Sequence, residues 1–173
     1  MAKRILVPLS GRDRDEGIVP LVAALAREWG ATVRLLRVFP MPEVVVGPNG
    51  RVVAYLDQQM ARLSGEGTAH LQTVESRLDG VPVESVVRFG DTVREILVES
   101  EAFGAELIVL RASSRNWMKR LFAPSAADRV ARKAQVPTLL LRQRYSPNTL
   151  GLIGTPLARP TSLWSSKRSR RSA

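Results

Sequence analysis

Apolar residues recur along this chain in two alternating rhythms. Short runs of four to seven, rich in Val, Ile and Leu, read as buried strands. The longer stretches between them repeat apolar positions every three or four residues and read as amphipathic helices. Arg4 to Leu9 is the first strand, apolar almost throughout as a central parallel strand should be. Ser10 to Asp13 forms a loop, with Ser10 or Asp13 placed to cap the next helix. Ile18, Leu21, Val22, Leu25, Ala26 and Trp29 give that helix one apolar face, with Pro20 near its start and Gly30 at its end. Thr32 to Val38 is the second strand, whose two arginines predict a less central or partly exposed position.

Phe39 to Ala54 is irregular, and Val44–Val46 with Val52–Val53 suggest a small hairpin. A helix is expected over Tyr55 to Leu78, weakened by Gly65 and Gly67, and it carries His70 on its surface. Val83 to Arg88 is the third strand. Asp91 or Thr92 caps a helix bearing Val93, Ile96, Leu97 and Phe103. Glu106 to Arg142 then reads as strand (Leu107–Leu110), basic loop, helix (Pro124-Ser125 to about Ala134) and strand (Thr138–Leu141). Five strands alternating with four helices predict an α/β domain, an open, doubly wound, five-stranded parallel sheet with helices on both faces. Ligands of such sheets bind outside the carboxyl ends of the strands.

The chain has 173 residues and no cysteine, which excludes a disulfide framework or a thiolate metal site. Its one histidine leaves no base for a Ser-His-Asp hydrolase at Ser10, Ser113, Ser114 or Ser125. No apolar run is long enough for a membrane span and no signal peptide is read at the start, so a cytoplasmic protein is expected. The net charge is +10, and half of it lies in residues 145–173, on Arg159, Lys167, Arg168, Arg170 and Arg171 without any acidic residue. The reading is therefore a domain over residues 2–144 and a basic, disordered tail over 145–173. With Trp164 as its nearby aromatic, the tail is expected to be a solvated terminus and not a nucleic-acid site.

The segments Ile5–Gly11, Phe89-Gly90-Asp91, Glu106–Leu110, Ser125–Val130 and Val136–Arg142, in that order, resemble the universal stress protein family across residues 2–144. The resemblance implies a Rossmann-like sheet of strand order 3-2-1-4-5, with its switch point between strands one and four. Many members bind ATP there through G-x-x-G-x9-G followed by Ser or Thr, with an Asp after strand one. In this sequence the glycine positions fall on Arg111, Ser114 and Pro124, the hydroxyl position on Ser125 and the Asp position on Ser10. Pro8, Val38 and Leu110 complete the implied pocket.

Pro124 lacks the N–H that would meet a phosphate, Arg111 brings a long side chain to a position that should be open backbone, and Ser10 lacks a carboxylate. These departures predict that ATP is not bound in the family manner and that no cofactor is required. Two readings of the basic loop are open. Arg111, Arg115, Lys119 and Arg120 are solvated or pair with Asp91 and Glu95; or, beside the helix at Ser125, they hold an anion in a pocket of Ser10, Arg111, Ser114, Arg115 and Ser125. Trp117 and Met118 on the same loop read as packing, with a contact patch as the alternative. The last strand, Thr138 to Arg142, would leave an unpaired edge, and the resemblance implies a homodimer that pairs it with its two-fold mate. The function expected is that of a non-catalytic stress-response or regulatory protein acting through protein contacts, with the ligand-binding module as the alternative.

Overall fold

The computed structural model describes residues 3–11, 13–42, 45–46, 52–54, 56–112 and 125–141. The apolar run Arg4–Leu9 forms β1, with Ile5, Leu6 and Val7 fully buried because both faces of the strand are covered. A 3-10 segment, Asp13–Ile18, leads into helix α1, Val19–Trp29. Neither Ser10 nor Asp13 caps α1. Its N-cap is Ile18, without a side-chain cap, and Pro20 is accommodated in the first turn, where a missing N–H costs nothing. Gly30 ends the helix in the left-handed conformation that a residue with a Cβ adopts only at a cost.

Strand β2 is Thr32–Phe39. Val45–Val46 (β3) and Val52–Ala54 (β4) make the small antiparallel hairpin, followed by α2, Leu56–Glu75. Then come β5 (Val83–Phe89), α3 (Thr92–Phe103), β6 (Leu107–Arg111), α4 (Ala126–Lys133) and β7 (Thr138–Leu141). The main sheet runs β5-β2-β1-β6-β7, all parallel, which is the expected order 3-2-1-4-5 with the hairpin set aside.

The alternation of strand side chains builds two cores. Ile5, Val7, Leu35 and Val109 pack with Val22 and Ala26 of α1 and Leu71 and Val74 of α2. Leu6, Leu36, Ile108 and Leu110 face Val93 and Ile96 of α3 and Val130 of α4. Helices thus cover both faces of a doubly wound sheet.

As its arginines suggest, β2 lies off the centre of the sheet, second from its edge, with Arg34 and Arg37 partly exposed; Arg34 is accommodated by carboxylates, above all the buried Glu99. Two local expectations change. Gly67 is no mere weak point in α2. It is buried where a Cβ would come within 2.8 Å of the Phe39 ring, so it lets the helix approach the sheet. His70 is half-buried, with Nδ1 shut away from solvent and lacking a hydrogen-bond partner among the described residues; a leucine and a valine of the same helix, Leu71 and Val74, anchor that turn.

Candidate functional site

The sheet reverses its winding between β1 and β6, which pair directly at Ile5 and Leu107 and at Leu6 and Ile108. The carboxyl ends of these two strands present Ser10 and Arg111. The chain itself meets both groups. Ser10 Oγ lies 2.9 and 3.0 Å from the two carboxylate oxygens of Asp15 and donates to them. Arg111 Nε lies 3.4 Å from Asp15 Oδ1. Asp15 is 1 % exposed, so its charge is compensated inside the protein and not by water. Arg111 ends a strand on which Leu107 and Val109 face the α1 core, and alternation carries its side chain to that same face, onto the 3-10 segment. The pairing of Arg111 with Asp15, and not with Asp91 or Glu95, is a contact the sequence reading lacked. Asp15 stands in a polar run, Ser10 to Gly17, with no periodicity to single it out from Asp13 or Glu16.

Asp91 is the N-cap of α3, its side chain accepting the Arg94 N–H at 2.9 Å. That hydrogen bond, with the nearby charges of Arg129 and Lys133, holds its carboxyl below the usual carboxylate range. Glu95 packs against Gly90, where a Cβ would fall 2.9 Å from its Oε1.

Ser125 is similarly engaged. It is the N-cap of α4 in a reciprocal capping box: the Asp128 N–H donates to Ser125 Oγ at 3.2 Å, and the Ser125 N–H reaches Asp128 Oδ2 at 3.2 Å. The hydroxyl also lies 2.7 Å from Asp128 Oδ2.

A cleft of about 150 Å³ opens between the carboxyl ends of β1 and β2 and the first turn of α3, lined by Pro8, Ser10, Leu36, Val38, Thr92 and Ile96. Three expected pocket positions, Pro8, Ser10 and Val38, therefore come together. Arg37 stands at the same cleft, its guanidinium 4.5 Å over the Phe39 ring and donating to the Leu9 carbonyl at 3.3 Å. It packs so closely on Gly11, whose φ is +71°, that a Cβ there would lie 2.7 Å from Arg37 Cζ. Leu110 is buried under α3 and α4 and forms no wall of the cleft, and neither Arg111 nor Ser125 lines it. Ser114, Arg115 and Pro124, with Trp117, Met118, Lys119 and Arg120, lie outside the described residues. Among the described residues no cluster of His, Asp or Glu is arranged to hold a metal ion, and no helix is long and apolar enough to cross a membrane.

The universal stress protein family model matches residues 1–142, the stretch that contains both the sheet and this site. The chain belongs to the universal stress protein family. Universal stress protein MJ0531 of Methanocaldococcus jannaschii is 24% identical over 143 residues, covering 82% of each chain. MJ0577 of the same organism is 22% identical over 159 residues, 84% of this chain and 98% of the relative, and its solved structure superposes with a TM-score of 0.67. A universal stress protein solved in complex with cAMP shares 18% identity, covers 80% of this chain and 96% of its own, and gives a TM-score of 0.63. At these identities the solved structures speak for the universal stress protein fold.

Proposed function

We propose that this universal stress protein is a non-catalytic regulatory member of its family that works as a homodimer through protein contacts and does not bind ATP in the family manner. On this reading residues 2–144 carry the function and residues 145–173 are a basic tail outside it. One observation carries the proposal: the polar groups at the family's nucleotide positions are engaged by the chain's own carboxylates, Ser10 and Arg111 by Asp15 and Ser125 by Asp128. A phosphate would have to replace contacts already made, without the glycine backbone that would admit it. The outer edge of β7, which no other strand pairs among the described residues, supports the homodimer, since an unpaired strand edge is a surface that proteins cover. Titration calorimetry of the purified chain with ATP, with and without magnesium at about 0.1 M salt, tests the reading. No heat at millimolar nucleotide is expected; micromolar binding overturns it.

A second reading is a ligand-binding module. The cleft at Pro8, Ser10 and Val38 favours it, and the relative solved with cAMP gives it a ligand class, a nucleotide. In that case binding is saturable in the micromolar range and weakens when Arg111→Ala removes the cation beside Ser10.

A further inference from the structure

We propose that Asp15 is an internal anion occupying a site for a phosphate-class anion built from Ser10 and Arg111, and that the site opens only when Asp15 leaves it. The inference rests on the reading that the native pocket does not take ATP in the family manner. The donors come from two strands that meet at the switch point. Ser10 follows β1 and Arg111 ends β6, and both converge on one carboxylate that is 1 % exposed.

Asp15 fits these donors imperfectly. Ser10 Oγ has a single proton yet is nearly equidistant from both carboxylate oxygens, at 2.9 and 3.0 Å, so one of them is served at a time. Arg111 Nε is buried and 3.4 Å from Oδ1, close enough for charge attraction but without a hydrogen bond. A buried donor left unsatisfied is costly. A tetrahedral anion has more oxygens in more directions than a carboxylate, and can meet the hydroxyl and the guanidinium fork together.

The segment that brings Asp15 here is suited to withdrawal. Asp13–Ile18 is a 3-10 stretch of six residues, longer than such helices usually run, and its hydrogen-bond geometry is poorer than that of an α-helix. Gly11 precedes it at φ +71° and Gly17 lies within it, so the backbone can change course on either side of Asp15. Ser10 also lines the 150 Å³ cleft, which gives an incoming anion a path to the hydroxyl.

The test is a titration of inorganic phosphate into the full chain and into Asp15→Asn, followed by calorimetry, with circular dichroism to establish that each variant is folded. Asp15→Asn keeps the side-chain volume and removes the competing charge, so phosphate is expected to bind it at least tenfold more tightly than the native chain. Adding Arg111→Gln is expected to abolish the gain, which separates this site from weak association with the basic tail. Equal affinity of Asp15→Asn and the native chain overturns the proposal, as does a gain that survives Arg111→Gln. If Asp15→Asn does not fold, Asp15→Ser, which leaves Ser10 a hydroxyl partner, is read in the same way; if neither folds, Asp15 is a structural carboxylate and the proposal falls. Micromolar binding of ATP by the native chain would instead overturn the functional reading on which this one rests.

Discussion

Arg34 Nη1 donates to Glu99 Oε1 over 2.7 Å, joining β2 to α3 across 65 positions of sequence. The other oxygen of Glu99 accepts from Arg88 Nε of β5 at 2.8 Å, and Arg34 also pairs with Glu84 and lies 4.0 Å from the Phe103 ring centre. Burial alone would lower the Arg34 pKa, but the hydrogen bonds and charges of Glu84 and Glu99 more than offset it, so its pKa is raised. Glu99 itself is 1 % exposed.

Removing this carboxylate leaves two guanidinium groups without their shared partner, one of them largely covered. Breaking a buried pair from one side costs about 3–5 kcal/mol, and Glu99→Ala is expected to lose stability on that scale in urea unfolding. Arg34→Met in the same background should recover part of the loss, because the guanidinium then left with Glu84 alone is gone. A loss below about 1 kcal/mol, the scale of an exposed pair, would show that water reaches the network and that it does not anchor α3.

The contrast with Asp15 shows what the sequence could and could not disclose. Both core faces, the end of α1 and the start of α3 follow from apolar periodicity, Gly30 and Asp91, because those signals are local, whereas the sheet order comes from the family resemblance. Asp15 and Glu99 carry no such signal. Each is an acidic residue in a polar or amphipathic stretch, and each meets, once buried, an arginine supplied by a distant strand, Arg111 or Arg34. The same holds for Gly65 and Gly67, identical as residues and both able to weaken a helix, yet one faces open space and the other Phe39. Of the pocket positions that the family resemblance implies, Pro8, Ser10 and Val38 line one cleft. The partner of the Arg111 side chain is not legible in the sequence, since it depends on the position of the 3-10 segment that carries Asp15.

That pair of glycines makes a controlled comparison. Alanine in place of glycine inside a helix is worth about 1 kcal/mol of stability. Gly65→Ala meets nothing within 4 Å and should realise most of that gain. At Gly67 the new Cβ would stand 2.8 Å from Phe39 Cε2 and 3.1 Å from Val87 Cγ2. The Phe39 ring has little freedom to retreat, stacked on Phe89 at 5.9 Å between centroids and covered by Arg37. Overpacking costs about 1–3 kcal/mol, so Gly67→Ala should lower the midpoint of urea unfolding while Gly65→Ala raises it. A rise in both would show that α2 can shift away from the sheet.

Asp91 provides a pH signature. Its pKa is depressed in the folded state, so its ionised form stabilises the fold above its unfolded value, about 3.9. That contribution is lost as pH falls through the lower folded value. Asp91→Asn retains a capping side chain but not the charge. Its stability deficit relative to the native chain, measured by urea unfolding, should be present at neutral pH and shrink as the pH falls below the usual carboxylate range. A deficit that is constant with pH would mean that the cap, and not the charge, accounts for the contact with Arg94.

The edge of the sheet bears on assembly. Ile108 N–H donates to the Pro137 carbonyl and Ala112 N–H to that of Leu141, so the backbone groups of residues 137, 139 and 141 face β6. In a parallel strand the alternate residues, Thr138 and Leu140, then turn their N–H and C=O to the outer edge, which no other strand covers among the described residues. Leu140→Pro removes one outward N–H without touching the ladder to β6, a substitution that edge strands tolerate. Leu140→Ala loses comparable side-chain packing but keeps the N–H, and so serves as its control. If β7 pairs with its two-fold mate, sedimentation should show Leu140→Pro dissociating at a concentration at least tenfold higher than the native chain, with Leu140→Ala remaining close to native. A native chain that sediments as a monomer, or two variants that dissociate alike, would rule out backbone pairing at β7 as the basis of the dimer.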